Sequence, residues 1–259
     1  MIFTNAKRHD WTAAEYFAHP AVSRSELVQA LTNPAKFQHW KANPPSSTSM
    51  ATGSMVHALV LEPEAFADEF HVVDLDSRRG NAWKDAVAEA GDRTPVLRKD
   101  MAETYAIVDA CKAEFGSMVD GSQHEVSITA THARTGMDVK CRVDMLGDCW
   151  LSDLKTTRDA SENGFARSVH AYRYDIQDAM YSDIVAALLG LEVVPFFFAC
   201  VETSAPFMTG LWDLNEAWRE SGRDGYEQAI DDYMYHTANG WPCSYGRGTL
   251  TAKPWMIGA

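Results

Sequence analysis

Two hydrophobic periods alternate along the chain, and the switches between them locate most of its elements. Leu27, Ala30 and Leu31 recur at helical spacing, and Ser23 three residues before Glu26 has the form of a capping box, so a helix opens there. A second helix is predicted from about 53 to 61, with Val56, Leu59 and Val60 on one face and Pro63 as its stop, and another over about 99–115. The middle of the chain then changes period. Residues 125–130 alternate, Arg134-Thr135-Gly136 reads as a turn, and 139–145 alternate again, which describes an antiparallel hairpin. A third strand, 149–155, follows the turn at Gly147-Asp148. The helical period returns over about 168–189, carried by Ile176, Ala179, Met180, Ile184, Val185 and Leu188 and ended by Gly190. Residues 193–201 read as a buried strand, 208–214 as its antiparallel neighbour, and 216–235 as a final amphipathic helix. This order predicts an α/β fold with a mixed central sheet flanked by helices. The most linker-like stretches, 43–49 and 74–80, do not divide it, so 1–259 is expected to be a single domain, mainly helical to residue 120 and built on the sheet from 121.

Composition narrows the class. With 46% hydrophobic residues the chain is neither disordered nor low-complexity, and its length buries an ample core without staples. The five cysteines, Cys111, Cys141, Cys149, Cys200 and Cys243, are scattered and form no CxxC pair, which suggests neither a disulfide framework nor a zinc ribbon and points to a reducing cytoplasm. The apolar stretches are too short to span a bilayer, and no membrane partner is expected. A net charge of −13 argues against coating nucleic acid by bulk charge. It does not exclude a nuclease, whose metals need carboxylates.

One segment carries chemistry. Asp144 precedes Asp153-Leu154-Lys155 by nine residues, so on adjacent strands the two carboxylates can converge, while Asp153 and Lys155, two apart, share a face. Carboxylates suit Mg²⁺, and a neighbouring ammonium can orient water or stabilise phosphoryl charge. The short pattern is weak by itself, since about one or two such triplets arise by chance in a chain this long. Asp138-Val139-Lys140 also fits, but it follows the turn glycine and its side chains are expected to be solvated. An exposed ion pair of Asp153 with Lys155 is the plain alternative.

The wider sequence sharpens the choice. Val22-Ser23-Arg24-Ser25-Glu26-Leu27, the run from Gly53 through His57 to Glu64, Cys141-Arg142-Val143-Asp144, Asp153-Leu154-Lys155-Thr156-Thr157, and the run from Tyr172 through Gln177 and Tyr181 to Asp183 occur in this order. Together they resemble the RecE-type exodeoxyribonuclease VIII family, phage recombination exonucleases of the RecB-like branch of the PD-(D/E)XK superfamily. Val143 stands where that signature usually has proline, which concerns strand shape and not chemistry.

The resemblance implies a restriction-endonuclease-like core and a stand-alone, phage- or prophage-encoded Mg²⁺-dependent exonuclease in a bacterial cytoplasm. Mn²⁺ is expected to substitute, with two ions per site. The implied activity resects 5′ ends of double-stranded DNA and leaves 3′ single strands for an annealing recombinase, and the implied assembly is a ring-shaped homo-oligomer. His57, Asp144, Asp153 and the Leu154 carbonyl are the implied metal ligands. From the residues alone, His57 beside Val56 and Leu59 on an apolar helix reads as a hydrogen-bonded core histidine sooner than as a ligand. Glu125, at the start of its strand, could assist a second metal or be solvated. Gln177 and Tyr181 match the Gln-xxx-Tyr motif that positions DNA or metal; plain helix packing would bury Tyr181 and expose Gln177. Lys155 is expected to stay charged among the acids and to act electrostatically. Ser25, Arg142, Thr156 and Arg158 flank the site and would suit a 5′ phosphate, or serve as cap, strand surface or ion pair. The run from Arg78 to Lys84 has the composition of a loop touching DNA. No Walker A segment occurs, so no ATP is expected. The five scattered cysteines argue against the iron–sulfur nucleases of the same branch. An endonuclease on the same core, and a non-catalytic DNA-binding or structural relative, are the remaining alternatives.

Overall fold

A computed structural model describes residues 1–43 and 47–252. Of the linker-like stretch 43–49, residues 44–46 lie outside the described residues. The centre is a seven-stranded mixed sheet. Its path runs β1 (Phe3–His9), β5 (Gln123–His132), β6 (Asp138–Leu146), β7 (Leu151–Thr157), β8 (Phe196–Glu202) and β9 (Thr209–Trp212), while the short β2 (Val22–Ser23) pairs in parallel with β6. The predicted hairpin is β5–β6, closed by a turn in which Gly136 takes φ 73°, a conformation that favours glycine. β1 is an addition to the predicted strands. Only Phe3 of its seven residues is buried, so the strand shows no apolar alternation.

Helices cover both faces. On one side α9 (Tyr174–Leu189) and α10 (Glu216–Asn239) pack Ile176, Met180, Tyr226 and Ile230 against Ile128, Cys141 and Phe198. On the other, α4 (Thr48–Leu61) and α7 (Arg98–Asp120) pack Val56, Val60, Ile107 and Phe115 against Met145, Leu154 and Ala199. Burying large side chains in this way contributes about 1.5–3 kcal/mol each. A satellite of two parallel strands, β3 (Phe70–Val73) and β4 (Thr94–Leu97), with α6 (Gly80–Ala90), carries its own small cluster of Val73, Ala86 and Leu97. The Arg78–Lys84 run is therefore not a free loop: α6 begins at Gly80, and Arg78 pairs with Asp100 at 2.7 Å.

The helical period over 168–189 spans two helices, not one. α8 (Glu162–Tyr172) ends at Arg173, whose φ of 54° and ψ of 45° are left-handed. Arg173 grips Asp175 at 3.0 Å, and the Arg24 guanidinium donates to the carbonyl of Tyr172, left free by the end of α8, and to that of Arg173, which also accepts the Ile176 N–H. The capping box is present at α2 (Arg24–Thr32): the Glu26 N–H donates to Ser23 Oγ at 3.3 Å, and the Ser23 N–H donates to the Glu26 carboxylate at 2.9 Å. Among the described residues, no helix is long and apolar enough to cross a membrane.

Candidate active site

The site lies in a fork of the sheet. Along one edge β6 is held by β5; along the other, β2 pairs at Val139 and Lys140, and β7 pairs at Met145 and Leu146. Among the described residues, 141–144 have no ladder partner on that second edge. Beyond the Met145–Ser152 pair β6 and β7 part, and Asp144 enters the gap, where its Oδ2 accepts the Leu154 N–H at 2.8 Å. The pairs His124–Met145 and Val126–Val143 bracket Glu125 and Asp144, so these two face each other across β5 and β6. Glu125 has a left-handed φ of 51°, a conformation costing on the order of 1–3 kcal/mol for a non-glycine residue. Asp153 follows the last β6–β7 pair, one step further into the fork. Three acids thus stand in a row across three strands, an arrangement that is unfavourable for like charges.

α4 brings His57 to the same point, with Nδ1 3.4 Å from Asp144 Oδ2. One donor atom each from His57, Glu125 and Asp144 lie within 4.8 Å of one another. An imidazole nitrogen with two carboxylates fits a divalent cation that keeps open positions for water and substrate oxygen. Burial, followed by the Asp144 charge, pushes the Glu125 carboxyl up to about 7 against the pull of Arg142. Burial and the Asp153 charge hold Asp144 well above the usual carboxylate range. Burial lowers His57 and so favours the neutral ring, the form that ligates metal. The surplus of buried anion in this pocket is what a cation would neutralise.

Asp153 is turned elsewhere. One of its oxygens accepts from Gln177 Nε2 and the other meets the Lys155 ammonium. Burial opposes the Lys155 charge, but Asp153, Tyr174 and Asp144 outweigh it and raise the pKa, so the amine is held protonated. The ammonium also lies 4.7 Å from the centroid of the Tyr174 ring. Of the ligands implied by resemblance, the structure gathers His57 and Asp144 and adds Glu125. Asp153 is spent on Lys155 and Gln177, and the Leu154 backbone on Asp144 and His57.

Gln177 and Tyr181 are both buried; helix packing with Gln177 exposed is not what is seen. Tyr181, His57, Glu125, Asp144 and the exposed Ser25 line one cleft of about 690 Å³. Arg142 is engaged by Glu125 at 2.5 Å, by the Trp11 carbonyl at 3.0 Å and by Ser127 Oγ at 3.2 Å. Thr156 and Arg158 line a neighbouring cleft. Lys140, expected to be solvated, is buried: its ammonium donates to the carbonyls of Tyr16 at 2.6 Å and His19 at 2.8 Å, which close the end of α1 (Ala13–Ala18). Two residues with a place in the site carried no separate signal. Tyr174 and Arg24 lie within matched segments, but nothing in their spacing reveals that one supports Lys155 and the other fixes the break before α9.

This fork, with acids on adjacent strands and a lysine two residues beyond the last, defines a PD-(D/E)XK-type fold. A family model described as a PDDEXK-like domain of unknown function (DUF3799) matches residues 23–247, and the chain belongs to that family. Among solved structures, the fold is similar to that of a candidate exonuclease from Eubacterium rectale. The TM-score is 0.65 at 17% identity, over 95% of this chain and 96% of that one, and the likeness concerns the fold alone. A Vibrio cholerae protein aligns over 90% of this chain and 58% of its own at 11% identity, with a TM-score of 0.23. No curated protein matches the sequence.

Proposed function

We propose that the protein is a divalent-metal-dependent exonuclease of RecE type, which resects the 5′ strand of linear double-stranded DNA. The observation that carries this reading is the convergence of His57, Glu125 and Asp144 within 4.8 Å, beside an ammonium that Asp153 keeps charged. A divalent cation held there, Mg²⁺ or Mn²⁺, supplies Lewis acidity toward a phosphoryl oxygen and toward water. The residues do the rest. Neutral His57 and the two carboxylates provide the donor atoms, and Arg142 balances Glu125 from outside the cluster. Gln177 fixes the rotation of Asp153, which in turn holds Lys155, and the Tyr174 ring limits where the ammonium can move. Lys155 then has N–H groups to orient an attacking water or to offset charge building on the phosphate. Ser25, exposed in the cleft of the acids, is available to a terminal phosphate. The 3′ single strands, the annealing recombinase that would receive them and a ring-shaped assembly around the duplex belong to the same reading.

The test is digestion of linear duplex labelled at the 5′ or 3′ end, with Mg²⁺ or EDTA, using closed circular DNA as control and Lys155→Ala as comparison. The expected result is metal-dependent loss from 5′ ends that spares circles and is absent in the variant. Cleavage of circles would replace the exonuclease with an endonuclease. No cleavage of any substrate with either metal would refute the reading.

A further inference from the structure

We infer that the cleft on the far side of Lys155 is a nucleoside subsite, in which the exposed Tyr172 ring stacks on a base of the strand whose phosphate lies at the acid cluster. The inference rests on the nuclease reading and adds a part of the site to it. This second cleft has a volume of about 800 Å³ and is lined by Gly53, Thr156, Thr157, Ser168, Tyr172 and Tyr174, among others. It adjoins the metal site across α4. Met50 lines both this cleft and the one holding His57, Glu125 and Asp144, and Gly53 lines both this cleft and the opening onto Lys155. α4 therefore forms a common wall from the cluster to Tyr172.

The aromatic arrangement indicates what the cleft receives. A column of rings rises out of the core beside the site: the buried Phe198 and Phe165 stack on Tyr174 at 5.7 and 6.0 Å, and Tyr172 follows Tyr174 at 5.6 Å, tilted by 34°. Tyr174 is anchored by both phenylalanines and carries the Lys155 ammonium near its face. Tyr172, the outermost ring, is 62% exposed, at a position whose main chain Arg24 fixes through the Tyr172 carbonyl. A column of rings that begins in the core, lies against the Lys155 ammonium and ends in an open ring is a platform for one more planar group. A nucleobase is the planar group that a phosphodiester brings with it, and every base offers a π-face, so such a platform tolerates any sequence. The Thr156 hydroxyl can donate to or accept from any base edge or sugar, and Ser168 Oγ, which donates to the Gly164 carbonyl at 3.4 Å, can still accept, which fits the same indifference.

The test measures binding of 5′-phosphorylated single-stranded octamers by fluorescence anisotropy in Ca²⁺, with one nucleotide at a time made abasic. In the wild type, one position next to the cleaved end should weaken binding about tenfold when its base is absent. Tyr172→Ala should weaken the intact octamer by the same factor and become indifferent to that position; Tyr172→Leu should behave like alanine, and Tyr172→Phe like the wild type. Equal affinity of Tyr172→Ala and the wild type for the intact octamer would overturn the inference, as would an abasic penalty that persists in Tyr172→Ala. Digestion of linear duplex in Mg²⁺, run in parallel, separates the two readings. Cleavage with binding indifferent to Tyr172 defeats the subsite alone. Tyr172-dependent binding without cleavage keeps the subsite and defeats the nuclease. Absence of both defeats both.

Discussion

Gly222 on α10 sets the position of α9, the helix that carries Gln177 and Tyr181. A Cβ built there would sit 2.1 Å from the Asp175 carbonyl oxygen and 2.9 Å from the Ala179 Cβ, whereas ordinary contact begins at 3.4 Å. Gly222→Ala must therefore move one helix against the other by 3.4 − 2.1 = 1.3 Å, and the obstacle is backbone, which cannot rotate away. Overpacking of this kind costs about 3 kcal/mol, offset by about 1 kcal/mol from the better helix propensity of alanine. A net loss of about 2 kcal/mol lowers the melting temperature by about 4–8 °C for a chain of this size. Gly116→Ala in α7 is the control. Its Cβ would meet nothing within 4 Å, so the same substitution should raise the melting temperature by about 2–4 °C. Because Gln177 reaches Asp153 from the displaced helix, the Gly222 variant should also lose about a hundredfold in DNA turnover while keeping metal-induced stabilisation. Thermal unfolding of the two variants decides the matter. If Gly222→Ala melts at or above the wild type, as Gly116→Ala should, the close approach of α9 and α10 is wrong, and with it the claim that α10 positions Gln177.

Saturating Mn²⁺ should stabilise the wild type by about 2.7 kcal/mol at a hundred times its dissociation constant, and His57→Ala or Glu125→Ala should abolish most of that gain in a thermal-shift titration. Lys155→Ala should keep the metal-induced shift and lose turnover, whereas Asp144→Ala should lose both, as read by the same titration beside the digestion assay. Asp178, fully buried 3.2 Å from Arg219, is pushed up to about 7 by burial against that pull. Its folded value lies above its unfolded one, so its contribution is whole below about pH 4 and fades as pH rises through 7. Urea unfolding at pH 5 and pH 8 should find the wild type weakened over that interval by about 2.5 kcal/mol relative to Asp178→Asn.

Local signals were legible and remote ones were not. The Ser23–Glu26 cap and the period-two run of the β5–β6 hairpin depend on neighbours in sequence, and both appear where the pattern puts them. The approach of Asp144 to Asp153 follows from strand pairing through a short turn, which spacing alone suggests. The break at Arg173 could not be read, because no glycine or proline marks it and the guanidinium that fixes it comes from Arg24, far back in the chain. Lys140 looked solvated for the same reason: its partners are carbonyls more than a hundred residues away. The place of Glu125 within the donor cluster depends on a left-handed backbone angle that period-two reasoning does not contain.

The row of Glu125, Asp144 and Asp153 across β5, β6 and β7 also bears on how the protein would respond to selection. Without a cation these acids repel one another, so replacing Glu125 or Asp144 by its amide should make the metal-free chain more robust while removing a ligand from the site. A screen that rewards solubility or heat resistance alone would therefore enrich Glu125→Gln and Asp144→Asn, and its winners would be the variants least able to hold a metal. Any effort to harden this chain has to select in the presence of the cation, where Glu125 and Asp144 turn from a liability into a constraint.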